Sequence, residues 1–335
     1  MKIAFFDTKE YDKASFDKKN ENFGYDILYH KGHLREPNAV LTQNTDAVCV
    51  FVNDVVNREV IKSLAKNKVK LIALRCAGFN NVDLEAAKEF GVKVVRVPAY
   101  SPYAVAEHTL ALMMALNRKI PRATWRTRDG NFTLNGLLGF DMHGKTVGVI
   151  GTGRIAKILI NILYGMGMNI LAYDLRPDEK FAQEKGIKYV DLDVLYKKAD
   201  IISLHCPLTP QTDHMIDDAA ISKMKPGVMI INTSRGNLIN TKSLIKGLKK
   251  KKIGSAGLDV YEEEANYFYK DRSDNILDDD ILARLLSFNN VIITSHQAFF
   301  TKEALDNIST TTLNNIKDFS EGKELVNEVK IIRRQ

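Results

Sequence analysis

Cysteine is scarce in this 335-residue chain. Three residues, Cys49, Cys76 and Cys206, stand far apart and are odd in number. None has a Cys-x-x-Cys partner, so neither a disulfide framework nor a zinc site is expected. The plain reading is three reduced thiols in a cytoplasmic protein. Long apolar runs are lacking too. The longest in the most apolar helical stretch is Leu110 to Leu116, far short of the roughly 20 residues of a membrane span. The opening run from Met1 to Phe6 is broken by Asp7, too soon for a signal peptide, and reads as a first strand. Repeats and low-complexity segments are missing. The net charge of +7 is spread out, apart from Lys249 to Lys252. A lysine run closing a helical segment is ordinarily a solvated face that suits the helix dipole. Without a larger basic patch or a reading element, neither nucleic acid nor membrane is an expected partner.

What is present is a doubly wound α/β pattern, written twice. Apolar runs at Lys2–Phe6, Ala47–Phe51, Lys70–Ala73 and Val92–Val95 read as buried parallel strands, with helical spacing between them. Pro98 breaks the pattern. Ser101 is a candidate N-cap and Pro102 a first helical residue, opening an apolar helix to about Asn117. Further strands are expected at Val147–Ile150, Ile170–Asp174, Ile201–His205, Val228–Asn232, Ser255–Leu258 and Val291–Thr294. A final helix is expected from Lys302 to about Phe319, packing back on the first domain. The expected division is 1–100 plus 299–335 as a substrate domain and 101–298 as a cofactor domain. The acidic, aromatic stretch Tyr261 to Asp280 reads as a surface excursion.

The strand Val147–Ile150 runs into Gly151-Thr-Gly-Arg-Ile-Ala156, and a second strand ends in Asp174, 23 residues after Gly151. Gly151 permits a tight turn, Gly153 lets the backbone approach a pyrophosphate, and Ala156 allows close helix packing. The helix start offers free N–H groups to phosphates. Asp174 can accept from a ribose and would repel a 2′-phosphate, so NAD is the expected cofactor. Arg176 reads as an exposed charge.

Three groups at later strand ends carry the remaining chemistry. Arg235 can bind a carboxylate in two places, His296 can give a proton to a carbonyl oxygen, and Glu264 can hold an imidazolium. His108, beside Glu107, reads as a satisfied interface or core histidine. Trp125, among Arg122, Arg126 and Arg128, reads as a local aromatic–cation cluster.

The chain resembles the D-2-hydroxyacid dehydrogenases, and within them the bacterial D-lactate dehydrogenases. The resemblance rests on Val97 to Thr109, the glycine fingerprint, His205 to Thr212, Ile231-Asn-Thr-Ser-Arg-Gly236, Gly257 to Glu264 and Ser295 to Thr301. It implies a Rossmann NAD-binding domain inserted into a flavodoxin-like substrate domain, and a homodimer with a dimerisation helix near 101–118. It implies NADH-dependent reduction of pyruvate to D-lactate, with catalytic His296, Glu264 and Arg235. Backbone at Cys76, Ala77 and Gly78 would grip the substrate carboxylate, and Tyr100 and Phe299 would face the substrate. Arg154, Ile155, Pro207, Thr212 and Thr233 would line the cofactor, and Asp259 would hold the nicotinamide carboxamide. Ser295 and Gln297 replace the Pro and the aliphatic or Thr common in the family, so a looser backbone is expected around His296. Two alternatives stand beside this reading. One is action on bulkier 2-keto acids; the other is an NAD-sensing corepressor-like role.

Overall fold

The computed structural model describes residues 1–330; the last five residues of the expected tail lie outside them. The chain divides into two compact units. One comprises Met1–Ser101 with the returning segment from Phe300; the other is Pro102–Phe299.

In chain order the first unit contains β1 (Lys2–Phe5), α1 (Glu10–Asn20), β2 (Asp26–Tyr29), β3 (Ala47–Val50), α2 (Arg58–Lys66), β4 (Leu71–Leu74), α3 (Leu84–Glu89) and β5 (Lys93–Val95). The second holds α4 (Pro102–Asn117), α5 (Ile120–Arg128), β6 (Thr146–Ile150), α6 (Arg154–Gly165), β7 (Asn169–Tyr173), α7 (Glu179–Lys185), β8 (Lys188–Tyr189), α8 (Leu192–Lys198) and β9 (Ile201–Leu204). It continues with α9 (Asp218–Lys223), β10 (Val228–Asn232), α10 (Thr241–Lys249), β11 (Ile253–Leu258), α11 (Glu264–Tyr267), α12 (Asp280–Leu286) and β12 (Val291–Ile293). The helix α13 (Lys302–Ser320) then belongs to the first unit.

The first unit's sheet has the order β2-β1-β3-β4-β5, with every pairing parallel. This is the flavodoxin-like arrangement. α13 packs on α1, where the Ser15 hydroxyl reaches Leu305 O and lies 2.9 Å from Ser309 Oγ. Among the described residues, one guanidinium is fully buried in this unit. Arg75, 1% exposed, lies between the rings of Phe5 and Phe51 and donates to Asp7 O. It also pairs with Asp12 at 3.2 Å.

The second unit's sheet runs β12-β11-β10-β9-β6-β7-β8, again parallel. Read from β8, this is the Rossmann order, with the reversal at β6 and β9. Its central strands are buried on both faces. Val147, Val149, Met229 and Ile231 join one apolar layer with α4 and α6; Ile150, Ile202, Val228 and Ile230 join the other. Each such aliphatic side chain contributes roughly 1.5–3 kcal/mol when fully buried. The sheet therefore fixes where its strand ends lie, and the candidate site is built at those ends.

Candidate active site

The fingerprint turn occupies the carboxyl end of β6. Gly151 has φ +89°, and a Cβ on it would fall 2.6 Å from Cys206 N. Only glycine meets both demands. A Cβ on Gly153 would instead meet open space, so the backbone there is free to be approached. Gly153 is the N-cap of α6 and offers no side-chain cap, while Arg154 is exposed and Ile155 part-buried. The first-turn N–H groups of a 12-residue helix thus face the glycine turn. Asp174 stands at the end of the adjacent β7. Its Oδ2 accepts from Thr152 N at 2.7 Å and from the Thr152 hydroxyl, and its Oδ1 accepts from Arg176 N. Burial pushes the Asp174 carboxyl up, but these hydrogen bonds outweigh it and leave the group below its ordinary value. An anionic carboxylate beside an open glycine cradle fits a dinucleotide with an unmodified ribose.

Facing this turn across the reversal is the loop after β9. The Thr212 hydroxyl donates to Pro207 O and lies 3.1 Å from Thr209 Oγ1, closing the Pro207–Thr212 turn. Ser234 reaches Cys206 O with its hydroxyl, tying the β9 loop to the β10 loop. Thr233 is buried and lies 2.8 Å, oxygen to oxygen, from Thr109 on α4.

The β10 loop carries Arg235. Asn232 donates to Arg235 O and accepts from Ser234 N, which sets the turn. The guanidinium is part-buried and gives one N–H to Ser234 O at 2.7 Å. The next residue explains the Arg-Gly pair. A Cβ on Gly236 would collide with the Tyr261 carbonyl and lie 2.6 Å from Glu262 N. Gly236 therefore lets the Arg235 loop lie directly on the segment that leads to Glu264.

Glu264 opens α11, and its Oε1 lies 2.8 Å from Nδ1 of His296 in the loop after β12. The two side chains keep 23% and 21% of their surface exposed. His296 has φ +52°, unusual for a residue with a Cβ. Its N–H donates to Asp259 O at 2.7 Å. Asp259 itself is fully buried. Its Oδ1 accepts from the Thr294 hydroxyl and Gln297 N, and its Oδ2 from Ala298 N. His108 closes this group, its Nε2 3.1 Å from Thr294 Oγ1.

Two expectations change here. The backbone around His296 is not loose: Asp259 binds it from both sides, so Ser295 and Gln297 need no proline to hold the turn. Asp259 has no exposed surface, and its oxygens are turned to residues 294–298. Parts of the Tyr261–Asp280 excursion also differ from a surface segment. Tyr261 and Phe268 are buried, and the Tyr269 hydroxyl donates to His296 O at 2.9 Å. Sequence reasoning passed over Thr152 and Tyr269. A threonine inside the fingerprint was a usable signal; nothing in the sequence distinguished Tyr269 from the aromatics around it.

The remaining candidates lie at strand ends of the first unit or close to the junction. Cys76 is buried, with its Sγ 3.2 Å from Gly78 O; Ala77 O accepts from Arg96. Ala77 and Gly78 are part-buried, as is Tyr100, whose carbonyl accepts from Asn307. Phe299, expected to face the substrate, is buried at 7% exposure.

Residues 110–298 match the family model for the D-isomer specific 2-hydroxyacid dehydrogenase, NAD binding domain. A D-lactate dehydrogenase of Escherichia coli is 53% identical over 98% of this chain and 100% of its own. The apo-structure of D-lactate dehydrogenase from Escherichia coli superposes with a TM-score of 0.90 at 52% identity, covering 98% of this chain and 100% of that one. A D-lactate dehydrogenase with NAD+ from Lactobacillus jensenii gives 0.84 at 33% identity, over 99% and 100% of the two chains. An oxidoreductase fold with a dinucleotide turn, carried by a sequence this similar from end to end, has one family assignment: the chain belongs to the D-isomer specific 2-hydroxyacid dehydrogenases, and its second unit binds NAD.

Proposed function

We propose that the protein is an NAD-dependent D-lactate dehydrogenase that reduces pyruvate to D-lactate reversibly. The observation that carries this reading is the contact between Glu264 Oε1 and His296 Nδ1, 2.8 Å, at strand ends in the same unit as the glycine turn. Bound NADH supplies the hydride. Arg235 turns its guanidinium to the substrate carboxylate, binds it in two places and polarises the carbonyl. In this reading the backbone of Cys76, Ala77 and Gly78 also binds the substrate carboxylate, and Tyr100 and Phe299 face the substrate. Protonated His296 gives its Nε2 proton to the carbonyl oxygen, while Glu264 holds Nδ1–H and compensates the imidazolium charge. In the reverse direction the same imidazole accepts the hydroxyl proton.

On the cofactor side, Gly151, Gly153, Arg154 and Ile155 receive the pyrophosphate and Asp174 the ribose. In this reading Pro207, Thr212 and Thr233 line the cofactor cleft, and Asp259 holds the nicotinamide carboxamide. We place the enzyme in the cytoplasm; its three buried free cysteines suit a reducing compartment. No helix among the described residues is long and apolar enough to cross a membrane.

The working form in this reading is a homodimer. The apolar side of α4 is spent within its own unit, through Ala106, Leu112, Met113 and Leu116. Exposed apolar side chains remain at Tyr103 on α4 and, further along the chain, at Trp125, Phe132, Leu134 and Leu138, the last 88% exposed. Exposed apolar side chains of this size suit an interaction surface.

The decisive experiment follows NADH absorbance with a series of 2-keto acids. Highest kcat/KM with pyruvate supports the reading. Preference for phenylpyruvate or 2-ketoisocaproate moves it to the bulkier class. Tight NADH binding without turnover of any 2-keto acid would mark a sensor instead.

A further inference from the structure

The proton donor of the proposed reaction has one side chain bound by Glu264 and a main chain bound by something else. Tyr269 is that second partner. Its hydroxyl donates to His296 O at 2.9 Å, and its ring lies 6.1 Å from the imidazole, inclined by 32°. Both residues hold left-handed backbone, φ +63° at Tyr269 and +52° at His296. A bulky residue in that region is uncommon and persists only where its surroundings over-determine it. The surroundings here are visible. Phe268 is buried in the apolar layer under β10 and β11, and Tyr269 packs partly against the same layer. Phe268 N donates to Glu264 O at 2.8 Å, and Lys270 closes the turn through Ala265 O and Asn266 O.

We propose that Tyr269 is a positioning residue for His296, so that the six-residue segment from Glu264 to Tyr269 grips the proton donor at two ends. Glu264 takes the imidazole and Tyr269 takes the main-chain carbonyl. With the carbonyl held, the ring swings about its Cα less, and Nε2 stays on the line to the substrate oxygen. An error of an ångström at that atom is enough to slow proton transfer. The proposal rests on the reading of His296 as proton donor, but its structural half does not require any substrate.

The test is Tyr269→Phe, which deletes the hydroxyl and keeps the ring. In the apo protein, the exchangeable Nδ1–H proton of His296 is identified by proton NMR from its loss in His296→Ala. Its exchange with water should speed up in Tyr269→Phe while the thermal midpoint changes little. In steady-state assays kcat should fall roughly 3–10-fold, the scale of one lost hydrogen bond. KM for NADH should stay the same, and the solvent deuterium isotope effect on kcat should rise. Tyr269→Leu, which also removes the ring, should fall further. Unchanged proton exchange in Tyr269→Phe would overturn the proposal whether or not the enzyme turns over pyruvate. Unchanged kcat and isotope effect, alongside an inactive His296→Ala, would overturn its catalytic half. Loss of all 2-keto acid turnover in the wild type, with faster exchange in Tyr269→Phe, would remove the proposed function and leave the two-ended grip.

Discussion

Glu264 Oε1 and His296 Nδ1 are 2.8 Å apart, although 32 residues of chain separate them. The pair predicts two graded losses. His296→Ala should lower kcat for pyruvate reduction by ~10²–10⁴ with NADH affinity retained. Glu264→Gln leaves the imidazole without an opposing charge and should cost roughly 10- to 10³-fold. Stopped-flow and equilibrium titration with NADH check both. Full turnover in His296→Ala would remove the proton-donor role.

Gly236 predicts a loss of a different kind. In Gly236→Ala the new methyl collides with backbone at Tyr261 and Glu262, which cannot rotate aside as a side chain can. The Arg235 loop and the Glu264 segment must part. The expected result is a rise in KM for the keto acid, a fall in kcat and a lowered thermal midpoint. Replacement with equal kinetics would show that the two loops are not held in register by this contact.

Asp174 carries the choice of cofactor. Its lowered pKa keeps it ionised at neutral pH, where it would repel a 2′-phosphate. Asp174→Ser should raise kcat/KM for NADPH relative to NADH by about tenfold or more, since a repelled charge costs on the order of 1–2 kcal/mol at a part-exposed site. Exposed Arg176 then stands two residues away as a phosphate partner. Measuring the NADH to NADPH ratio in both proteins decides it.

Stability should depend on pH through two buried groups of opposite sign. Burial pushes the His205 imidazole down to about 4 from its ordinary 6.5, though the residue keeps part of its surface. Below pH 6.5 the unfolded chain takes a proton that the folded one refuses. This group's contribution is therefore full above 6.5 and is lost as pH falls through about 4. Burial pushes the Asp54 carboxyl up to about 6, against Arg75 and the Phe51 and Leu34 amides. That contribution is present below about 4 and is lost as pH rises through about 6. The midpoint difference between His205→Asn and wild type should become more favourable to the variant from pH 7 down to 4.5. For Asp54→Asn it should move the same way from pH 4 up to 7. Differential scanning calorimetry across that range reads both slopes.

The first unit's stability depends on Arg75, a buried cation among buried carboxylates. Arg75→Met would leave Asp12 and Asp54 buried without their cation, at a cost of about 3–5 kcal/mol. Urea unfolding should show that loss. Because Arg75 immediately precedes Cys76-Ala77-Gly78, KM for the keto acid should rise in whatever folded fraction remains.

The strands legible in the sequence carry runs of aliphatic residues, whether fully buried, as in Val228–Asn232 and Ile201–Leu204, or half-exposed, as in Val291–Ile293. Sequence reasoning missed Asp26–Tyr29 and Lys188–Tyr189. Both are edge strands with charged residues, Asp26 and Lys188, at their starts, and Lys188–Tyr189 is only two residues long, so neither carries an aliphatic run long enough to read as a strand. The glycine turn and Asp174 were legible because each residue type answers a local demand. The loop-holding part played by Asp259 was not legible. An aspartate at a strand end reads alike whether or not it caps a neighbouring loop, and only the position of residues 294–298 shows that it does.

The sequence alone determined two doubly wound units, the dinucleotide turn, and the residue types needed to reduce a 2-keto acid, because these depend on local periodicity and on what a glycine, arginine or histidine can do. The tertiary structure alone decided that Glu264 meets His296, that Asp259 and Tyr269 hold the histidine's backbone, and that Gly236 lets the Arg235 loop touch the Glu264 segment. Those contacts join loops from β10, β11 and β12, and only the packing of parallel strands into one sheet brings such distant stretches of chain within hydrogen-bonding distance.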